Sequence, residues 1–71
     1  MTGSNVQTVA IYGVGLIGGS FALALREAGY AGRIVGVSSP ATIARAIALC
    51  AIDEGLPPTE AASRADLVFL A

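Results

Sequence analysis

The spacing of apolar and polar positions changes period several times along this chain. Residues 8–12, TVAIY, form a short β-branched and aromatic run without strict alternation, as in a parallel strand covered on both faces. Gly13-Val14-Gly15 ends the run. From Leu16 the spacing becomes helical, with Ile17, Phe21, Ala24 or Leu25, and Ala28 expected on the buried face. Gly29 is placed to end that helix as a left-handed residue, with Tyr30 following it. Residues 33–37, RIVGV, read as a second buried strand. Ser39-Pro40 then supplies an N-cap and a proline at the first helical position, where its missing N–H is harmless. Ile43, Ile47 and Cys50 or Ala51 give this second helix its apolar stripe, with Cys50 read as a small buried hydrophobe. Asp53-Glu54-Gly55 and Pro57-Pro58 read as a solvated turn and a surface connection. Thr59 is expected to cap a short helical piece through Arg64, and residues 66–71, DLVFLA, make a third strand.

The order β-α-β-α-(short helix)-β predicts an α/β fold, the Rossmann-type βαβαβ half of a doubly wound parallel sheet. Length and composition fit a fragment. A chain of 71 residues is short for an independent domain and buries only about 60% of its surface. Its 55% hydrophobic residues exceed what so small a core needs, and its 13% charged residues fall well below the usual share of about 25%. Residues 1–71 are therefore expected to be part of something larger, whose remaining core covers these surfaces.

Charge removes several functions. A net charge of −1, with four arginines, no lysine and no histidine, provides no basic stripe for a nucleic-acid backbone or an anionic membrane surface. A single cysteine and no histidine assemble neither a disulfide framework nor a zinc site, and they fit a reducing, cytoplasmic setting. The stretch from Thr2 to Leu25 is uncharged, which raises a membrane helix or a signal peptide. No positive residue precedes it, however, and Gly13, Gly15, Gly18 and Gly19 weaken any helix spanning it.

The candidate chemistry lies in Gly13-Val14-Gly15-Leu16-Ile17-Gly18, a G-x-G-x-x-G string between an expected strand and an expected helix. That context turns a weak pattern into a dinucleotide fingerprint. Gly13 permits the tight turn, Gly15 leaves room for a pyrophosphate, and Gly18 lets helix and strand approach. The helix N-terminus, with the N–H groups of Leu16 and Ile17, then supplies donors and partial positive charge to phosphates. A P-loop would require a lysine, which is missing. At the end of the second strand, where an NAD-selective site carries an acid for the ribose hydroxyls, Ser38 and Ser39 stand instead. Those two hydroxyls suit NAD or NADP alike. Arg45 lies further along the following helix, and the sequence leaves its reach toward the serines open. Ser20 has two open uses, a backbone carbonyl or a ligand.

The string VAIYGVGLIGGSFALALREAG, residues 9–29, resembles the start of the prephenate and arogenate dehydrogenases of tyrosine biosynthesis, where GxGLIGGS is characteristic. The likeness continues through RIVGVSSPATIARAIALCAIDEG, with a helix of the form P-x-x-x-x-x-A and an IDE turn at Ile52, Asp53 and Glu54, to ADLVFLA at residues 65–71. Two positions depart. Ser38 stands where many NAD-using members have Asp, and Cys50 stands where a helix-ending Gly is expected. The resemblance implies a cofactor-binding part of an enzyme that is a homodimer when full length. Its reaction would be the oxidative decarboxylation of prephenate or arogenate, with the catalytic His and the substrate-gripping Arg beyond this sequence. Two other readings share the glycine loop: another nicotinamide-dependent reductase of hydroxy or imino acids, and a regulatory nucleotide-sensing domain without chemistry. The LIGGS extension speaks against the former.

Overall fold

The computed structural model describes residues 6–71. Four parallel strands form one sheet in the order β3-β2-β1-β4, where β1 is Thr8–Tyr12, β2 Arg33–Val37, β3 Glu54–Gly55 and β4 Leu67–Leu70. Three helices connect them: α1, Leu16–Glu27; α2, Pro40–Ala48; and α3, Pro58–Arg64. β1 lies at the centre, in register with β2 from Thr8↔Arg33 to Tyr12↔Val37 and with β4 from Val9↔Leu67 to Tyr12↔Leu70. Successive strands run outward from β1 through β2 to β3, and the chain then returns to the other side of β1 as β4. The order of strands reverses there, and in open α/β sheets such a reversal opens a ligand crevice at the strands' carboxyl ends.

Alternation of side chains separates two layers. Val9, Ile11 and Ile34 face α1 and α2, where they pack with Val14, Ala22, Ala46, Ala51 and Ile52. Ala10 and Val35 face α3 and meet Ala61. Phe21 of α1 stacks on Phe69 of β4 with ring centroids 4.0 Å apart and planes 9° from parallel.

The face that α1 buries differs from the one its larger side chains suggest. Gly18 and Ala22 are buried, Phe21 and Leu25 flank them, and Ile17 is 69% exposed while Ala24 and Ala28 are open to solvent. Small residues win the inner face because the helix lies so close to β1. A Cβ on Gly18 would collide with the Gly13 carbonyl oxygen and stand 3.0 Å from Ile11 Cγ2. On α2, likewise, Ala46 is buried with Ile43 beside it, whereas Ile47 and Cys50 are exposed.

Both long helices end in the same motif. Tyr30 N–H reaches the Leu25 carbonyl and Gly29 N–H the Arg26 carbonyl, with Gly29 at φ +94°. Ala51 N–H reaches Ala46 and Cys50 N–H reaches Ile47 in the same way, with Cys50 at φ 62°. Cys50 is thus a left-handed helix end, turned outward, and not a core residue.

Two further differences concern the chain after α2. Glu54 and Gly55 are a strand and not a solvated turn, since they pair with Val35 and Gly36. Asp53 and Glu54 are also engaged as ion-pair partners. Asp53 Oδ2 accepts from Arg26 Nη2 at 2.6 Å and from Ile34 N–H at 2.7 Å, and Glu54 pairs with Arg33 and Arg64. The last helix starts earlier than expected. Pro57 occupies its N-cap position and Pro58 its first turn, so Thr59 lies inside it and caps nothing.

Candidate dinucleotide-binding site

β1 ends at Tyr12, and the chain turns through Gly13 at φ +89°, a conformation open to glycine and costly for other residues. Gly13 N–H donates to the Val37 carbonyl at 2.8 Å, so the turn is fastened to the end of β2. Its other flank faces the end of β4, where the Ala71 carbonyl oxygen would lie 3.7 Å from a Cβ at Gly13. Val14 turns down into the core, 3% exposed, and anchors the loop from below.

Gly15 is the N-cap of α1 and offers no side-chain cap. The first bond closed across the turn runs from Gly19 N–H to the Gly15 carbonyl at 2.8 Å, so the N–H groups of Leu16 and Ile17 lie ahead of the helical ladder. The space above Gly15 is open, with no atom within 4 Å of where a Cβ would be. Leu16 is 90% exposed, which leaves the first turn uncovered. α2 forms the contrast. Its N-terminus is closed by Ser39, whose Oγ accepts from Thr42 N–H at 3.3 Å and donates to Thr42 Oγ1 at 2.9 Å. Of the three helix N-termini at this end of the sheet, that of α2 is capped by a serine, that of α3 begins at two prolines with Glu60 in its first turn, and that of α1 is open to a ligand of opposite charge.

Gly15 and Leu16 line a groove of about 580 Å³ between α1 and α2, together with Leu23, Thr42, Arg45 and Leu49. Gly13, the exposed turn residue, Gly18, buried against the Gly13 carbonyl, and Ile17, 69% exposed, do not line the groove. Ser38 is exposed at the end of β2 and lines a separate hollow of about 490 Å³ with Pro40, Leu56 and Pro57. Ser20 does not face the groove with a free hydroxyl, because its Oγ donates to the Leu16 carbonyl at 2.8 Å. Sequence reasoning missed Thr42 and Val14. The signal for Thr42 was its place three residues after an N-cap serine, on the side of α2 that faces α1.

Among the described residues, no acid lines this groove. Arg26, Arg33 and Arg64 are each paired with a carboxylate, whereas Arg45 has no carboxylate partner among the described residues. Glu54, at the sheet edge, is held below its ordinary value by hydrogen bonding to Arg33, with further lowering from Arg64. Burial pushes the Tyr30 phenol up, far from the loop.

No family model matches the chain, and no curated protein matches it. A solved structure does. The crystal structure of prephenate dehydrogenase from A. aeolicus, in complex with hydroxyphenyl propionate and NAD+, matches 97% of this chain at 39% sequence identity and a TM-score of 0.88. The chain belongs to the prephenate dehydrogenase family. It corresponds to the Rossmann-type nucleotide-binding part, and it spans 25% of the A. aeolicus chain. Prephenate dehydrogenase is thus the family in which the glycine loop, the open helix end and the strand reversal are to be understood.

Proposed function

We propose that this chain is the NAD-binding part of an enzyme that oxidises prephenate with loss of carbon dioxide, within tyrosine biosynthesis. The observation that carries the proposal is the uncapped N-terminus of α1 above Gly15, at the point where the strand order reverses. The open space and the backbone donors suit a pyrophosphate. A Cβ at Gly15 would fill the open space, and the donors at Leu16 and Ile17 are backbone groups that need no lysine. When bound, NAD would supply a hydride acceptor.

The residues of this chain bind and orient. Leu16 and Ile17 N–H groups hold the phosphates, Gly13 sets the turn, and Ser38 presents a hydroxyl where the adenosine ribose would lie. None of them is suited to move a proton at a substrate. The chain has no histidine, and the Tyr12 hydroxyl at this end is spent on the Pro58 carbonyl at 2.6 Å. Proton transfer and grip on the substrate carboxylate therefore belong to other parts of the enzyme, and these 71 residues alone turn nothing over. A cytoplasmic location suits the exposed free thiol of Cys50.

The test is formation of reduced nicotinamide by the intact protein carrying this sequence, supplied with NAD and either prephenate or arogenate. Turnover with prephenate supports the proposal. Turnover only with arogenate revises the substrate, and NAD binding without turnover on either would return the chain to the regulatory reading.

A further inference from the structure

We infer that Arg45 is the reader of a 2′-phosphate on the adenosine ribose, so that the site takes NADP as well as NAD. The inference rests on the dinucleotide reading above and adds a specificity-determining residue to it. A site that selects NAD carries a carboxylate at the end of β2, which accepts the ribose hydroxyls and repels a phosphate. Here Val37 is followed by Ser38 and Ser39, and no acid occurs between Glu27 and Asp53. Both of those acids lie away from the strands' carboxyl ends. Glu27 is the last residue of α1, and Asp53 is bound to Arg26 and to the first buried residue of β2, Ile34.

Arg45 supplies the opposite charge. It sits in the second turn of α2, lines the same groove as Gly15 and Leu16, and is the one arginine without a carboxylate partner among the described residues. A long side chain on a helix leans back toward the helix N-terminus, which here means toward Ser39 and the end of β2. Between the phosphate cradle at Leu16 and Ile17 and the hydroxyl of Ser38 lies the space for the ribose. Arg45 and Thr42 line the groove beside Gly15 and Leu16, Ser38 lines the neighbouring hollow, and the two meet at the start of α2, where Pro40 belongs to the hollow and Ala41 to the groove. A guanidinium presents a planar fork of donors that matches a phosphate, and a 2′-phosphate brings close to two negative charges to it. Ser39 adds nothing to this contact through a free proton, because its hydroxyl donates to Thr42.

The experiment measures affinities of NAD, NADP and adenosine 2′,5′-bisphosphate for the intact protein carrying this sequence, for Arg45→Ala and for Arg45→Lys. Loss of a charge-assisted contact predicts that Arg45→Ala lowers the NADP-to-NAD affinity ratio by about tenfold or more. Adenosine 2′,5′-bisphosphate should weaken alongside NADP, and Arg45→Lys should retain part of both. An unchanged ratio in Arg45→Ala overturns the assignment and leaves the dinucleotide site standing. So does a wild-type preference for NAD above about a hundredfold, near 2.7 kcal/mol. Binding of neither cofactor to the wild type would overturn the dinucleotide reading itself, and the role of Arg45 with it.

Discussion

The two ends of this sheet are built to opposite rules. At the N-terminal ends of the strands, polar groups are closed upon one another. Asp66 accepts from the N–H groups of Gln7 and Thr8 at 2.9 Å, and Asp53 joins Arg26 to β2. Arg33 and Arg64 share Glu54. At the C-terminal ends, glycines replace charged side chains, a helix begins without a cap, and Arg45 stands without a carboxylate. Glu60, an acid in the first turn of α3, is drawn along its helix to Arg64. The first end satisfies its donors and acceptors internally and so serves stability. The second leaves donors unsatisfied and so waits for an anion.

The largest expected effect separates the two roles at a single glycine loop. Gly15→Val should weaken cofactor binding by at least about a hundredfold, near 2.7 kcal/mol, while shifting the unfolding free energy by no more than about 0.5 kcal/mol. Calorimetry of binding beside denaturant unfolding checks it, and equal losses in both would erase the distinction. Three residues on, Gly18→Ala should behave in the reverse manner. Its Cβ meets backbone at Gly13 and the Ile11 side chain, so the unfolding free energy should fall by about 1–3 kcal/mol. A smaller effect of opposite sign is expected at the other end of the molecule. Cys50→Gly relieves a left-handed residue and should raise stability by about 0.5–1 kcal/mol without altering cofactor affinity.

The smallest effect is a pH dependence. Arg33 lowers the Glu54 carboxyl below its ordinary 4.5, so the charged pair stabilises the fold above that value and the benefit disappears as pH falls through the lower native value. The gap in unfolding midpoint between wild type and Glu54→Gln should be present at neutral pH and close in acid. A gap that persisted at pH ~3 would mean that the pair acts through packing and not charge.

How far these ends were legible in the sequence follows from where the causes lie. Gly13 and Gly29 announce themselves locally, because a left-handed turn calls for a glycine whatever surrounds it, and Ser39-Pro40 marks a capped start by its own chemistry. The face of α1 was read correctly at Phe21 and Leu25 and misread at Ile17, Ala24 and Ala28, because period alone does not show that the close approach to β1 rewards Gly18 and Ala22. β3 is two residues long, Glu54 and Gly55, and exists only because Val35 and Gly36 offer an edge to pair with. Nothing within the dipeptide signals that edge. Cys50 was read as a core thiol from residue preference, but the Schellman end of α2 fixes its direction. At the site, the glycine loop was fully visible, and the groove side of α2 with Thr42 was not, since it depends on the packing of two helices.

The bond from Gly13 N–H to the Val37 carbonyl has a consequence for how such a site changes over time. It joins the proposed phosphate cradle to the proposed ribose end through backbone alone, so their separation is a gauge set by one strand spacing of about 4.8 Å. Side chains at residues 38, 39 and 45 can be exchanged without resetting that gauge. Cofactor preference can therefore drift, from one dinucleotide to the other and back, on a loop whose dimensions stay constant.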